Sequence, residues 1–192
     1  IGERFTFDYD LPNDMAYAET CATIALIYFA NRMAKIELNS EYGDIIENSL
    51  YNLLLARTSS DGKGFFYDNY LECDPGYLHS QQRRHGVRDE YHTCSCCPPN
   101  ITRLFASMDM YIYNIFENSL VVDQYISSEF NFKDQGIKIN QTSDFPHKGY
   151  SKIQIIESNN RESSIFFRIP SWDKKISILL NGSKIDYETV NG

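Results

Sequence analysis

Three of the chain's five cysteines fall within four positions, in the run Cys94-Ser95-Cys96-Cys97-Pro98-Pro99-Asn100. Adjacent cysteines make a strained disulfide but good thiolate ligands, or a ligand beside a nucleophile. Pro98-Pro99 reads as the first turn of a helix, where proline is tolerated. The dipole at a helix N-terminus favours thiolates, and a metal lowers their pKa further. One cysteine of this corner could therefore stay ionised at neutral pH and attack an electrophilic carbon. A zinc site wants about four N, O or S ligands. Cys96 and Cys97 supply two, and the best companions are Glu19 and Cys21 in Glu19-Thr20-Cys21. On a regular helix residues i and i+2 diverge by about 200°, so Glu19 and Cys21 can share a metal only at a helix terminus or a distortion. Spacing leaves three readings open: a closed structural zinc site of three thiolates and one carboxylate, a reactive metal-bound thiolate, or a free or redox-active cluster. A carboxylate is a less usual ligand in structural zinc sites, which favours chemistry. The redox reading lacks both the C-x-x-C spacing and a surrounding βαβ pattern.

The elements that must position these residues can be taken in chain order. Residues 1–12 read as an extended lead-in ending in Pro12. Asn13 or Asp14 can cap a helix running to about Ile36. Its stretch Ala22–Ala30 is apolar nearly all round, so burial on most sides is expected. A second helix is expected near Glu41–Arg57, with Ile45, Ile46, Leu50, Leu53 and Leu54 at helical spacing. Ser59-Ser60-Asp61-Gly62 signals a turn, and Phe65-Phe66-Tyr67 a short strand. A long polar loop follows, with His79, His85 and His92, which are expected to be solvated rather than ligands. The third helix should run from Pro98 to about Asn114. After Asn118 the pattern switches to period two, and six strands are expected between Leu120 and Leu180. The domain boundary is expected near residues 115–119, with no Gly/Ser-rich linker and no internal repeat.

Bulk properties narrow the function. The chain has 192 residues, with 42% hydrophobic and 23% charged, so it can bury a core. A net charge of −8 argues against a nucleic-acid partner, which would call for a basic stripe. The longest apolar run, Ala22–Ala30, is too short for a bilayer, which needs roughly 20 residues, and no signal peptide is visible. The chain opens on Ile1, and three long helices do not close an α-domain by themselves, so a fragment of a larger protein is expected. Clustered, odd-numbered cysteines do not form a secreted disulfide framework. The 14 tyrosines mildly favour a carbohydrate-related role, since Tyr lines sugar sites as well as cores.

The joint motifs point further. Gly2-Glu3-Arg4-Phe5, Asp8-Tyr9-Asp10-Leu11-Pro12-Asn13-Asp14, Tyr17-Ala18-Glu19-Thr20-Cys21-Ala22 and Cys96-Cys97-Pro98-Pro99-Asn100 together resemble the β-L-arabinofuranosidases of glycoside hydrolase family 127 and the related family 146. Leu50-Tyr51-Asn52, Phe65-Phe66-Tyr67 and Arg168-Ile169-Pro170-Ser171-Trp172 look like the same family. The resemblance implies the end of an (α/α)6 barrel over 1–117 and an antiparallel β-sandwich over 118–192, an α+β multi-domain arrangement. It implies a retaining mechanism with Cys96 as nucleophile, Glu3 as general acid/base, and Glu19, Cys21, Cys96 and Cys97 holding Zn2+. This departs from the usual two-carboxylate scheme by replacing one carboxylate with a metal-tuned thiolate. Tyr67 and Glu47 align with substrate-binding positions; the plainer readings are a core tyrosine and a solvated helix carboxylate. Cys94 is expected to be a bystander, Cys73 a small buried or loop thiol, and Arg168–Trp172 a structural strand exit. An L-arabinofuranoside-type carbohydrate is the implied partner, with no nucleic acid and no membrane, in a bacterial cytoplasm or periplasm. The competing reading is a non-catalytic, zinc-stabilised binding or interaction module.

Overall fold

The computed structural model describes residues 7–10, 12–13, 18–72, 88–159 and 162–190. The chain is α+β and divides into two compact units, one of Ile1–Phe29 with Glu47–Ala106, the other of Ala30–Ile46 with Ser107–Gly192. The helices are α1 (Thr20–Met33), α2 (Ser40–Asn48), a single turn α3 (Leu55–Arg57), α4 (Cys97–Ala106) and α5 (Asp109–Ile112). Helix α1 starts later than expected. Residues 14–17 lie outside the described residues, and Glu19 is extended, bridged antiparallel to Asp68. On α1, Ile24, Ile27 and Ala30 are buried, but Leu26 and Phe29 are exposed, against the expected burial on most sides.

The expected helix at 41–57 is continuous but not regular. Between α2 and α3 the backbone widens into a π-helical stretch, Ser49–Leu54. Such widenings are rare and have no periodicity signal that a sequence reading can use. Ile46, Leu50, Leu54 and Arg57 are buried along this run. The turn at Ser59–Gly62 forms as expected, with Gly62 N–H donating to Ser59 O at 2.9 Å and Gly62 at φ +72°.

Phe65-Phe66-Tyr67 is extended but is not a ladder strand. It makes isolated bridges, Phe65 to Thr58 and to Asp89, while Tyr67 O accepts from Thr20 N at 3.0 Å. Short pairings on several sides replace one long pairing, so the segment works as a tie between distant pieces of its unit. Helix α4 ends at Ala106, earlier than expected, and after α5 the chain turns into β1 (Tyr113–Phe116).

Among the described residues the second unit carries three sheets. Strands β1, β2 (Ser119–Val122) and β6 (Ile165–Phe167) form one, in the order β1-β2-β6. Strands β3 (Ser128–Phe132), β4 (Ile137–Ser143) and β5 (Ser151–Ser158) form an antiparallel meander. Strands β7 (Ile178–Leu180) and β8 (Ser183–Ile185) form a hairpin. Its turn places Asn181 (φ +51°) and Gly182 (φ +84°) in the left-handed region, which suits this residue pair. The β2–β6 pair is parallel, with Leu120 opposite Ile165, whereas antiparallel pairing was expected throughout. Period-two alternation fixes which face a residue takes, not which neighbour its strand finds. The core of this unit is Ile112, Tyr113, Leu120, Val122, Phe132, Ile137 and Ile139. Removing these side chains from water at roughly 25 cal/mol per Å² is the main driving term for the unit.

Candidate metal and catalytic site

Two chain segments meet through the tie at 65–69. Besides the Thr20 N–Tyr67 O bond, Thr20 Oγ1 donates to Phe66 O at 2.8 Å and Asn69 N to Ala18 O at 3.1 Å. These bonds hold Glu19-Thr20-Cys21 where extended backbone becomes helix. Glu19 O accepts from Thr23 N at 3.2 Å, so Glu19 sits just ahead of α1 and Cys21 in its first turn. A helix terminus is one of the two geometries in which a carboxylate and a thiol two apart can converge. From the other side, Cys97 starts α4 and packs with Phe65 and Tyr67, with Cys21 and Cys96 against them.

The ligand atoms of Glu19, Cys21, Cys96 and Cys97 lie within 4.8 Å of one another. Cys21 Sγ is 3.6 Å from Cys97 Sγ, Cys96 Sγ 3.8 Å from Cys97 Sγ, and Cys96 Sγ 3.3 Å from Glu19 Oε1. All three cysteines are free thiols, and these separations are far beyond the roughly 2.05 Å of a disulfide. Four ligands at tetrahedral angles, with metal–sulfur near 2.3 Å and metal–oxygen near 2.0 Å, place sulfurs about 3.8 Å apart and sulfur to oxygen about 3.5 Å. These three separations are close to such edges, and with all four ligand atoms within 4.8 Å of one another the residues could hold a metal ion.

The electrostatics point the same way. Burial first, then crowding by Cys21 and Glu19, pushes the Cys96 thiol up to about 12, while Tyr67 hydroxyl works in the opposite direction. Burial, then Cys21 and Cys96, drives the Cys97 thiol further up. Burial and the neighbouring acidic groups disfavour the thiolates, and a bound cation would reverse that balance. Cys97 is fully buried, while Cys96 and Cys21 are half-buried, so Cys96 keeps some access to solvent.

Tyr67 is buried, with its hydroxyl 3.6 Å from Cys96 Sγ. Glu47 is also buried, at 7% exposure, so the solvated-carboxylate reading does not hold. Glu3, Cys73, His79 and His85 lie outside the described residues. His92 departs from the solvated expectation. It is half-buried, with its ring 4.8 Å from Phe65 and Nε2 3.4 Å from Phe65 O. Cys94 is exposed and is not one of the four clustered ligands.

Sequence reasoning missed Arg57. It is 1% exposed, and its Nη1 donates to Thr20 Oγ1 at 3.0 Å, while Nε has no hydrogen-bond partner among the described residues. Burial lowers its pKa, and Cys97, Asp68, Glu19 and Cys21 hold it up. A buried guanidinium thus faces the acidic groups from behind Thr20. The only sequence signal was an arginine on the buried register of an otherwise apolar helix face, three residues after Leu54.

A family model described as "Beta-L-arabinofuranosidase, GH127 catalytic domain" matches residues 1–110. The chain belongs to glycoside hydrolase family 127. The family's middle-domain model matches residues 119–192. A non-reducing end β-L-arabinofuranosidase of Bifidobacterium longum subsp. longum is 39% identical over 190 residues, covering 95% of this chain and 29% of that protein. A crystal structure of a family 127 β-L-arabinofuranosidase from Geobacillus stearothermophilus T6 is similar at TM-score 0.85 and 37% identity, over 95% of this chain and 29% of that one. Another family 127 β-arabinofuranosidase structure matches at TM-score 0.81 and 28% identity, over 98% of this chain and 31% of that one. The chain therefore spans less than a third of the length of these relatives. No described helix is long and apolar enough to cross a membrane.

Proposed function

We propose that the protein carrying this chain is a retaining, zinc-dependent glycoside hydrolase that cleaves β-L-arabinofuranosides with Cys96 as nucleophile. The observation that carries the reading is the convergence of the Glu19, Cys21, Cys96 and Cys97 ligand atoms within 4.8 Å of one another. Glu19, Cys21, Cys96 and Cys97 would hold the zinc, which supplies positive charge that keeps thiolates ionised and makes sulfur a better leaving group. Cys96 Sγ bonds to the anomeric carbon as the bond from that carbon to the leaving oxygen breaks, and Glu3 gives the leaving oxygen its proton. Glu3 then takes a proton from water, water oxygen bonds to the anomeric carbon, and the sulfur departs with its electron pair. Tyr67 hydroxyl, beside Cys96 Sγ, orients the nucleophile or the sugar, and Glu47 completes the sugar's surroundings. In this reading residues 1–117 belong to the end of an (α/α)6 barrel and 118–192 to a β-sandwich that follows it.

The test uses the full-length protein and a β-L-arabinofuranoside with a good leaving group. Cys96→Ser should abolish turnover and the covalent sugar adduct that mass spectrometry detects on the wild type. A Cys96→Ser enzyme that still turns over would sink the mechanism. One observation favours a second reading, a zinc-stabilised module without catalysis: a four-ligand site leaves no open coordination position, as in structural zinc centres. That reading expects chelation to unfold the protein and no hydrolysis at any metal content.

A further inference from the structure

Asn100 closes the Cys96-Cys97-Pro98-Pro99-Asn100 run, yet neither ligation nor catalysis accounts for it. Its Nδ2 lies 3.1 Å from Cys21 Sγ, on a segment 79 residues away. Its Oδ1 accepts from Arg103 Nη1 at 2.7 Å. These two contacts fix the amide's orientation chemically. A guanidinium can only donate, so the amide oxygen must face Arg103, which turns the N–H group toward the sulfur. Cys97, Asn100 and Arg103 are three apart in succession, so they follow one stripe of α4. One helix face thus presents a ligand, a donor to a second ligand, and the residue that orients the donor.

We propose that Asn100 is a positioning residue for Cys21: its N–H donates to the ligand sulfur, and Arg103 holds it in that orientation. The proposal rests on the metal reading above. A divalent ion held by three thiolates and one carboxylate leaves a formal surplus of two negative charges. An N–H donor to sulfur draws density from the thiolate and offsets part of that surplus, as a charge-assisted hydrogen bond. It also fixes the direction of the sulfur lone pairs, as outer partners of metal ligands do.

The experiment uses the full-length protein loaded with cobalt(II), whose absorption reports the energy of thiolate-to-metal charge transfer. In Asn100→Leu the sulfur loses its donor, its electrons lie higher, and the charge-transfer band should move to longer wavelength. Metal affinity, measured by competition with a chromophoric chelator, should fall by about 10–100-fold. Arg103→Met should shift the band in the same direction by less, and Asn100→Gln, which keeps an N–H on a longer arm, should recover part of the shift. Should Asn100→Leu fold poorly, the Arg103→Met and Asn100→Gln bands decide. Variants that lose stability while every band stays at the wild-type position would overturn the proposal and reduce Asn100 to a packing residue. A wild-type protein that takes up no cobalt would overturn the metal reading itself, and this proposal with it.

Discussion

The cysteine cluster and the surroundings of Arg168 are both buried polar constellations, and their charge balance differs. Arg168 is 3% exposed and its partners satisfy it: Nη1 pairs with Asp44, and Nε donates to Asp123 O at 2.6 Å. Asp44 also accepts from Ser171 N at 3.1 Å, and Asp123 accepts from Asn114. Cation, anions and backbone groups close on one another, as a buried charge must if it is to be tolerated. In the cysteine cluster the four candidate ligands are all acidic groups with no cation in contact with them among the described residues, and Arg57, buried behind Thr20, faces two carboxylates and two thiols. A constellation that balances itself reads as architecture. One that gathers potential anions with no cation among them reads as a candidate site.

The comparison can be broken from either side. The largest effect is expected on the cysteine cluster. Stripping metal from the full-length enzyme, or replacing Cys97 with Ala, should cut the rate of arabinofuranoside hydrolysis by at least about 10³-fold. Added zinc should restore the stripped wild type but not Cys97→Ala. An enzyme that stays active after chelation, at verified zero metal, would make this cluster as self-sufficient as the arginine network.

On the other side, Arg168→Met leaves Asp44 and Asp123 without their buried cation. Urea denaturation should show a loss of about 3–5 kcal/mol, with metal content unchanged. A loss under about 1 kcal/mol would mean that the network contributes little to folding. Gly43→Ala tests the same network through space alone. A Cβ there would lie 2.2 Å from Arg168 Cδ, so the arginine or α2 must shift, at about 1–3 kcal/mol.

The smallest effect is a pH slope. Burial pushes the Asp123 carboxyl up to about 6, with Asn114 and Arg168 pulling the other way. Because the folded value is above the unfolded one, the folded state takes up the proton more readily. Its stabilising contribution is complete below the ordinary aspartate value near 4 and is lost as pH rises through about 6. Asp123→Asn should therefore flatten the stability profile between pH 4 and 7, by on the order of 2 kcal/mol, as read from denaturation midpoints at several pH values. A slope that survives the substitution would assign it to another group.

Much of the site was legible because its chemistry is local. Adjacent cysteines before a proline pair, and a carboxylate and a thiol two apart, are candidate ligands by residue type alone. The strand-rich half was legible as strands for the same reason: alternation is a property of neighbours in sequence. What could not be read there was pairing. The parallel β2–β6 contact joins Leu120 to Ile165, and nothing in either segment names the other. The π-helical stretch at Ser49–Leu54 and the break in the third expected helix at Ser107 were equally hidden, because each changes the spacing over too few residues to leave a period in the sequence.

The sequence by itself determined the donor set, its family and the order of helices and strands, since these depend on residue identity and short-range periodicity. Only the tertiary structure decided that Glu19 stands at the end of a helix rather than inside one, which is what lets it reach the same point as Cys21. It also decided that Arg57 is buried behind Thr20, that Asn100 points its amide N–H at a sulfur 79 residues away, and that Asp44 answers Arg168 across 124 residues. Each is a long-range contact between polar groups. Such contacts depend on where the backbone places both ends, and no window of sequence contains both.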